Sequence, residues 1–538
     1  MRVADFFCGG GGFSEGFRQA GFEIVFAVDK WEPAVKTYKG NKPGVNVHLD
    51  DVIRISKLPD EEFEKLVPDS EVIIGSPPCQ SFSHSNKSGN ADKSLGILLI
   101  EAYLRIVARK KFKKDSVLRY WVLENVPNVK NYIKDEYSAN DLGLEGNFVL
   151  KTTGSATGVY NAKYYGAPTN RERYLCGFFP EPVKVRTDND VITLGAVLKS
   201  LGMPCSQSKK HIWDVNYPDF SLPRKSVTDH HYVYELAPFE WETAKRLKQD
   251  KGYMGKMSFP ENTKKPARTV MATMSASSRE AMVLGFGNNQ YRLPTVREAA
   301  SMMSFPIDYW FFGESRGIKH TLVGNAVPPK MSYALAAAMA ADAGIAIPDH
   351  YIPIKHDSKI EFVDLNWSVL KINEEKPRRS VAKFKYHIPY LIFNAYRVEL
   401  TNYHSDFDNH QFRWDAEIHH SQGKVKAKMY SVPVDKLALR DDQKARAEEF
   451  ISHWRDYYFC NYNDFQKAYC MTEKQRQKEQ LIGPYELLSM LRGFIDRTIP
   501  ENERGRKVKI EDEPFEMPAA TVFGYYILKS ITDEMGGK

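Results

Sequence analysis

Residues 2–21 read RVADFFCGGGGFSEGFRQAG. The apolar run at 2–7 predicts a short buried strand, and the segment from Phe13 predicts a short helix that ends at Gly21. Between them, Gly9, Gly11 and Gly12 allow the main chain to approach a ligand and open a helix N-terminus toward a carboxylate or phosphate. Nucleotide, flavin and methyl-donor sites all use such a loop, so the glycines alone do not choose among them.

Strand-like and helix-like segments continue to alternate along the chain. EPAVKTYKGN (32–41) predicts a helix, and further strands are predicted at EIVFAVD (23–29), VNVHLDD (45–51), SEVIIGS (70–76) and RYWVLENV (119–126). This order predicts a parallel α/β sheet, whose ligands bind beyond the carboxyl ends of the strands. Asp29, Asp51, Cys79 and Glu124 lie at those ends. A dinucleotide enzyme and a methyltransferase fit this pattern equally well.

The composition predicts a soluble chain of several domains. The 538 residues are 42% hydrophobic and 27% charged, and no apolar stretch is long enough to cross a bilayer. The N-terminus lacks the layout of a signal peptide, so we expect an intracellular protein. The net charge of +7 permits a nucleic-acid partner. Residues 351–538 hold 30 basic and 29 acidic residues, so the positive excess lies in 1–350.

The six cysteines form no CxxC pair, which argues against a zinc site or a disulfide framework. Cys79 lies in GSPPCQSFS (75–83), directly after Pro77 and Pro78. Two prolines fix successive φ angles, so this loop is rigid and presents one side chain in one direction. An isolated Pro-Pro-Cys is more often a packed turn, but in a reducing compartment such a cysteine is also a candidate nucleophile.

The chain divides into three parts by composition. Residues 1–181 and 291–345 form a first domain, because 295–312 and 320–343 return to a helical pattern. Residues 182–290 are loop-rich and punctuated by proline and glycine. A separate unit is predicted at 351–538, with strands at FRWDAEI and KVKAKMYSV and helices from Lys436 onward.

Six motifs decide the class of protein. In chain order they are DFFCGGGGFSEGF (5–17), GSPPCQSFS (75–83), ENVP (124–127), NRERYLCGF (170–178), TVREAASMMSFP (295–306) and HTLVGNAVPP (320–329). Their order and spacing resemble those of the DNA cytosine-5 methyltransferases of bacterial restriction–modification systems, over roughly residues 1–343. The resemblance implies a Rossmann-like, S-adenosylmethionine-dependent methyltransferase domain with a small target-recognition domain at 182–290. The extra α+β C-terminal domain, 351–538, lies outside the motifs.

The resemblance assigns a catalytic set of Cys79, Glu124, Arg171 and Arg173. Cytosine C5 is a poor nucleophile, so the thiolate of Cys79 is expected to add to C6 and activate it. Glu124 is expected to bond N3 and the exocyclic amine, which also selects cytosine over thymine. Arg173 is expected to orient the flipped base, and residues 80–98 to form a mobile lid over the DNA.

The resemblance also assigns the residues that bind S-adenosylmethionine. Phe7 is expected to stack on the adenine, Asp29 to bond the ribose, and Asn325 to close the methionyl end. The remaining members of the set are Gly9, Gly11, Gly12, Lys30, Asp51, Val52 and Pro78. Two positions depart from the family pattern: Thr169 replaces a glutamine, which puts a DNA or backbone contact in doubt, and Asp29 replaces the commoner glutamate.

Target recognition is expected from basic residues in 182–290. The candidates for phosphate contacts are Lys209, Lys210, Arg224, Lys225, Lys264, Lys265 and Arg268. Residues 351–538 are expected to contact flanking DNA or a cognate restriction or defence protein, through basic runs such as KPRR (376–379) and KVKAK (424–428). His419 and His420 point to opposite faces of a strand, so we predict no metal site. No nuclease motif is evident.

The expected function is methylation of C5 of cytosine within a specific duplex DNA sequence, in the cytoplasm of a bacterial cell at the nucleoid. An RNA cytosine-5 methyltransferase is an alternative, although the Cys-Phe-Thr signature of that branch is absent and only PCSQ (204–207) is similar. A catalytically silent DNA-binding regulator is a second alternative. The intact Cys79, Glu124 and Arg173 argue against it.

Overall fold

The computed structural model describes residues 1–78, 82, 93–204, 210–231, 233–249, 257–276, 278–365, 373–421, 428–511 and 515–537. The chain divides into two compact units: the first comprises 1–236 and 260–372, and the second 237–259 and 373–538. This division differs from the predicted boundaries, because 351–372 belongs to the first unit and 237–259 to the second. No helix among these residues has the length and apolar character needed to cross a membrane.

The first unit contains sixteen strands and nine α-helices within the described ranges. The strands are β1 (Arg2–Phe6), β2 (Glu23–Asp29), β3 (Asn46–Leu49), β4 (Val72–Gly75), β5 (Tyr120–Asn125), β6 (Glu136–Ser138), β7 (Val149–Lys151), β8 (Gly158–Asn161), β9 (Thr169–Asn170), β10 (Glu172–Phe178), β11 (His211–Trp213), β12 (Ser221–Pro223), β13 (Tyr234–Glu235), β14 (Ala267–Arg268), β15 (Leu284–Gly285) and β16 (Tyr291–Leu293). The helices are α1 (Gly12–Gln19), α2 (Glu32–Asn41), α3 (Val52–Ser56), α4 (Asp60–Leu66), α5 (Ser94–Phe112), α6 (Leu194–Leu201), α8 (Val296–Met302), α9 (Arg316–Asn325) and α10 (Pro329–Asp342).

A seven-stranded sheet organises the first unit, in the order β3-β2-β1-β4-β5-β10-β8. The first five strands run parallel, which confirms the predicted α/β sheet. Strands β10 and β8 add to this sheet in antiparallel direction. The antiparallel register of β10 on β5 sets Leu175 opposite Glu124, so the NRER segment lies at the carboxyl end of β5.

Apolar clusters cover both faces of this sheet. One contains Phe13 and Phe17 of α1 with Leu335 and Met339 of α10, and the other is built around Trp121 and helix α5. Each central strand is buried on both faces, as parallel strands covered by helices usually are. The sheet is therefore a rigid platform for the loops at its carboxyl edge.

Two segments with a helical sequence pattern are helical over only part of their length, and proline explains one of these cases. The segment 320–343 has a helical sequence pattern, and it forms two helices, because α9 ends at Asn325 and α10 begins at Pro329. Proline restricts the residue before it and has no N–H to donate, so Pro328 and Pro329 separate the helices. In 295–312 only Val296–Met302 is helical, and the aromatic residues after it pack into the core.

The second unit packs helices against one face of a sheet. Its helices are α7 (Pro238–Gln249), α11 (Asp441–Tyr458), α12 (Tyr462–Cys470), α13 (Glu473–Glu479), α14 (Pro484–Thr498) and α15 (Ala519–Met535). Its strands are β17 (Lys385–His387), β18 (Tyr396–Thr401), β19 (Asp415–His420), β20 (Lys428–Tyr430), β21 (Lys507–Lys509) and β22 (Glu516–Pro518). Strands β17-β18-β19-β20 form an antiparallel sheet, and its core includes Trp414, Trp454 and Phe523. An α+β unit is therefore present, although residues 424–427 of the predicted KVKAKMYSV strand lie outside the described residues.

Candidate active site

A buried carboxylate–guanidinium pair lies at the carboxyl end of β5. Nε of Arg173 is 2.8 Å from Oε1 of Glu124, and both side chains are buried. Burial raises the pKa of Glu124, while the charges of Arg173 and Arg171 oppose that shift. The structure thus brings two of the predicted catalytic residues together and gives Glu124 an increased tendency to hold a proton.

Two asparagines fix the chain on either side of the predicted nucleophile. Nδ2 of Asn125 donates to the carbonyl of Pro77 at 2.9 Å, and Nδ2 of Asn128 donates to the carbonyl of Phe82 at 3.1 Å. Cys79 itself lies outside the described residues. Because Asn125 directly follows Glu124, the strand that carries the carboxylate also anchors the start of the cysteine loop. The sequence motif ENVP contained the first of these anchors, but Asn128 gave no signal.

The predicted lid at 80–98 is described only in part. Residues 80, 81 and 83–92 lie outside the described residues, and α5 begins at Ser94. The last five residues of the predicted lid are therefore the start of a long helix. Phe82 is buried and its ring lies 5.2 Å from that of Tyr132.

Arg171 has a different environment from Arg173. Its guanidinium is buried and donates to three main-chain carbonyls: Val270 at 3.2 Å, Gly324 at 3.0 Å and Ala326 at 3.0 Å. Gly324 and Ala326 lie on either side of Asn325, and Val270 belongs to the segment that faces them. The position predicted to be catalytic therefore holds together two segments of main chain at the site.

Gly324 allows those two segments to meet. A Cβ atom at this position would lie 2.4 Å from the main-chain nitrogen of Ala272, so no larger residue fits without displacement. The hydroxyl of Thr321, one turn earlier in α9, donates to the carbonyl of Ala272 at 3.2 Å. Asn325, at the end of α9, is exposed beside this contact.

The glycine loop leads from β1 into α1 at the carboxyl edge of the sheet. The carboxylate of Asp29, at the end of β2, accepts the N–H of Gly9 at 2.9 Å and the N–H of Trp31 at 2.9 Å. Burial raises the pKa of Asp29, and these N–H donors oppose the shift. Phe7 has a φ of 56°, which is uncommon outside glycine and marks a constrained main chain at the start of the loop.

Two buried side chains bind main-chain carbonyls of the glycine loop. Nζ of Lys42 donates to the carbonyl of Gly11 at 3.3 Å, and the hydroxyl of Tyr309 donates to the carbonyl of Gly10 at 2.5 Å. Gly11 has a φ of 85°, and a Cβ there would lie 2.6 Å from the Tyr309 hydroxyl. Sequence reasoning missed Lys42 and Tyr309, since neither lies in a recognisable ligand motif.

The other predicted cofactor residues lie along the same edge. Asp51 follows β3 and caps α3, where its Oδ1 accepts the N–H of Ile53 at 2.7 Å. Val52 is buried as the first residue of that helix. Lys30 and Pro78 are exposed after β2 and β4 respectively. All these residues therefore follow parallel strands at one end of the sheet.

The position that departs from the family pattern makes a main-chain contact. Thr169 is buried, and its hydroxyl donates to the carbonyl of Arg268 at 3.1 Å. This bond joins β9 to β14, a parallel pair that links the NRER segment to residues 267–268. Thr169 therefore makes a main-chain contact of its own, with its hydroxyl as the donor.

The predicted phosphate-contacting residues fall into two groups. Arg224 donates to the carbonyls of Leu201 and Met203, and Arg268 pairs with the carboxylate of Glu261. These two guanidinium groups stabilise the fold around them. The ammonium groups of Lys210, Lys225, Lys264 and Lys265 are on exposed residues, whereas Lys209 lies outside the described residues.

A largely parallel sheet with a constrained glycine loop after β1 and a buried Glu–Arg pair at the carboxyl end of β5 is the architecture expected of the methyltransferase class. The chain belongs to the C-5 cytosine-specific DNA methylase family, because the sequence model of that family matches residues 1–341. Type II methyltransferase M.MthTI of Methanothermobacter thermautotrophicus is 28% identical over 364 residues, covering 62% of this chain and 96% of the relative. A candidate type II methyltransferase of Methanocaldococcus jannaschii is 29% identical over 351 residues, covering 62% and 98%. The solved Dnmt2 methyltransferase of S. pombe is 15% identical, with a TM-score of 0.42 and coverage of 64% and 100%.

Proposed function

We propose that this chain transfers a methyl group to C5 of cytosine within a specific sequence of duplex DNA. The observation that carries the proposal is the buried pair of Glu124 and Arg173, joined through Asn125 to the chain that leads into Cys79. This arrangement sets a carboxyl group and a guanidinium beside the start of the segment that leads into Cys79. The type II names of the relatives support a role in restriction and modification.

Each proposed residue has a defined part in the reaction. The thiolate of Cys79 adds to C6 of the flipped cytosine, and the electron pair of the C5–C6 bond becomes available at C5. Glu124 donates a proton or hydrogen bond at N3 and accepts one from the exocyclic amine. After C5 has gained the methyl group, loss of the C5 proton expels the thiolate. Arg173 holds Glu124 and orients the base.

The residues at the carboxyl edge fit S-adenosylmethionine. A Cβ at Gly9 would meet no atom within 4 Å, so this part of the loop faces open space. The N-terminus of α1 and the Asp29 carboxylate lie beside it, which suits a ligand with both a carboxylate and ribose hydroxyls. When bound, S-adenosylmethionine supplies the methyl group from its sulfonium. We propose Phe7, Asp29, Asp51 and Asn325 as its main contacts.

We propose that sequence recognition lies in the parts of 182–290 that belong to the first unit, namely 182–236 and 260–290. The exposed Lys210, Lys225, Lys264 and Lys265 are suited to phosphate contacts, which position a protein on DNA without reading its sequence. Residues 351–538 remain the proposed contact for flanking DNA or a cognate restriction or defence protein.

The test maps 5-methylcytosine at single-base resolution. The protein is incubated with S-adenosylmethionine and unmethylated DNA of mixed sequence, alongside Cys79→Ser and Cys460→Ser variants. We expect methylation of one short motif by the wild type and by the Cys460→Ser control, and none by Cys79→Ser. Absence of 5-methylcytosine in DNA, with methylation of RNA by the same preparation, would contradict the proposal and favour the RNA alternative.

A further inference from the structure

The sheet of the second unit has one apolar and one ionisable face. Val398, Leu400, Ala416 and Ile418 lie in the apolar core. Because side chains alternate along a strand, the residues between them face the other way. On that second face, charged and imidazole side chains of β17, β18 and β19 lie together: Lys385, Arg397, Glu399, Glu417 and His419.

Three of these side chains converge on one point. Glu399 and Glu417 are directly opposite each other in the antiparallel register, and His419 follows Glu417 by two residues on the same face. Nε2 of His419 lies 3.0 Å from Oε2 of Glu399 and 3.0 Å from Oε2 of Glu417. All three side chains are buried, and their ligand atoms lie within 4.8 Å of one another.

These distances suit a metal ion. Carboxylate oxygens and imidazole nitrogens lie about 2.0–2.2 Å from a bound divalent transition cation. At tetrahedral or octahedral angles, two such ligand atoms are about 3.0–3.4 Å apart. The separations from His419 to both carboxylates therefore need little adjustment to accept an ion.

The two carboxylates also place an electrostatic demand on their surroundings. Oε2 of Glu399 is buried and accepts no well-aligned hydrogen bond among the described residues, and its basic neighbours are Nε2 of His419 at 3.0 Å and Nζ of Lys385 at 3.2 Å. The aligned hydrogen bond of His419 Nε2 is the one to Oε2 of Glu417. Two buried carboxylates placed opposite each other repel, so the pair requires positive charge, which either the ammonium group of Lys385 or a bound cation can supply.

The neighbouring basic side chains divide between the two sides of the carboxylates. The outer oxygens are held by Arg397, whose Nε is 2.5 Å from Oε1 of Glu399, and by His404, whose Nε2 is 2.7 Å from Oε1 of Glu417. Such contacts orient ligands around a metal. On the inner side, Nζ of Lys385 is 3.2 Å from Oε2 of Glu399.

Lys385 therefore occupies the position of a competing cation. Its Nζ is also 3.6 Å from Oε2 of Glu417. The side chain is 30% exposed and extends from the edge strand β17, so it can turn into solvent. A divalent ion that binds the two inner oxygens would displace its ammonium group.

We propose that Glu399, Glu417 and His419 form a binding site for a divalent first-row transition cation such as Mn²⁺ or Zn²⁺. The expectation of no metal site considered only the adjacent His419 and His420. His420 does stack on Tyr396, with ring centroids 3.9 Å apart, so it takes no part. The proposed partners of His419 come from the neighbouring strand and from its own strand at a spacing of two, which the histidine pair did not indicate.

The experiment measures binding of Mn²⁺ alone to the full chain. The protein is stripped with EDTA, Mn²⁺ is titrated in, and the free ion is followed by electron paramagnetic resonance. We expect one saturable site per chain, from which Zn²⁺ displaces Mn²⁺. Glu417→Gln is expected to lose this site, and Glu448→Gln, an exposed carboxylate on α11, is expected to retain it.

The variant Lys385→Met distinguishes a metal-binding site from an ion-pair network that binds no metal. This variant keeps all three proposed ligands and removes the competing charge, so Mn²⁺ should bind roughly tenfold more tightly. Lys385→Met also tests the proposal if the Glu417→Gln variant does not fold. Absence of saturable binding in the wild type, retention of the site in Glu417→Gln, or unchanged affinity in Lys385→Met would each overturn the proposal.

Discussion

Replacement of Arg171 by lysine tests whether this arginine acts on the substrate or on the protein. The guanidinium donates to three buried carbonyls, those of Val270, Gly324 and Ala326. An ammonium group on a shorter, unforked side chain can satisfy only part of this set. Arg171→Lys therefore keeps the positive charge but leaves main-chain acceptors without partners.

The size of the effect follows from the number of bonds that are lost. A buried acceptor without a donor costs about 1–3 kcal/mol. If two of the three carbonyls lose their donor, the local free energy of opening should fall by about 3 kcal/mol. Since 1.36 kcal/mol is a factor of ten, amide exchange that proceeds through this opening should become about a hundred times faster.

Amide hydrogen exchange measured by mass spectrometry reports the free energy of opening for each segment separately. The informative peptides cover residues 265–276 and 320–330, and peptides from the second unit serve as an internal reference. Arg186→Lys is the matched control, because Arg186 is an exposed arginine of the same unit that pairs weakly with Asp190. We expect exchange in the two segments to rise in Arg171→Lys and to stay unchanged in the control. Loss of methyl transfer with unchanged exchange would contradict this reasoning and make Arg171 a residue of the reaction.

Three further predictions concern packing, pH and the cysteine loop. Gly324→Ala should destabilise the first unit by about 1–3 kcal/mol, because its Cβ would lie 2.4 Å from facing main chain. In the same helix Gly317→Ala, whose Cβ meets nothing closer than 3.8 Å, should be neutral or stabilising by calorimetry. Burial raises the pKa of Asp214 to about 7, although the main-chain N–H groups that donate to its carboxylate act to lower the pKa. The folded state therefore holds this proton more tightly than the unfolded state. The wild type should lose up to about 4 kcal/mol of stability relative to Asp214→Asn as the pH rises from about 4 to about 7. Finally, Asn125→Ala frees the carbonyl of Pro77 and should lower kcat for methyl transfer by about 10- to 100-fold, with cofactor affinity unchanged.

Each of these predictions has a clear contrary result. Equal melting temperatures for the two glycine variants would mean that the close approach at Gly324 is not rigid. A stability difference for Asp214→Asn that stays constant between pH 4 and pH 7 would mean that the carboxyl titrates normally. A fall in cofactor affinity that accounts for the whole loss in Asn125→Ala would separate this residue from the cysteine loop.

Much of the first unit could be predicted from local sequence. The strands at 23–29 and near 2–7 and the helix at 32–41 were predicted because apolar periodicity and glycine positions are local signals. The residues at the carboxyl ends of these strands were predicted to gather at one edge, since parallel strands have their ends on the same side. The family resemblance followed from the order of the six motifs alone.

Tertiary structure decided what surrounds those residues. The sequence could not show that Arg171 bonds three carbonyls while Arg173, two residues later, pairs with Glu124. Both arginines lie in one motif, and their roles diverge because distant segments of chain meet only one of them. The supports of the glycine loop, Lys42 and Tyr309, are likewise separated in sequence by more than 260 residues.

The second unit shows the same division. Its sequence predicted strands and helices, but the pairing of β18 with β19 brings Glu399 opposite Glu417 and beside His419. Strand periodicity determines which face of a strand a residue occupies, and the sequence alone supplies this. The register between two strands determines which residues meet across that face, and only the folded sheet sets it.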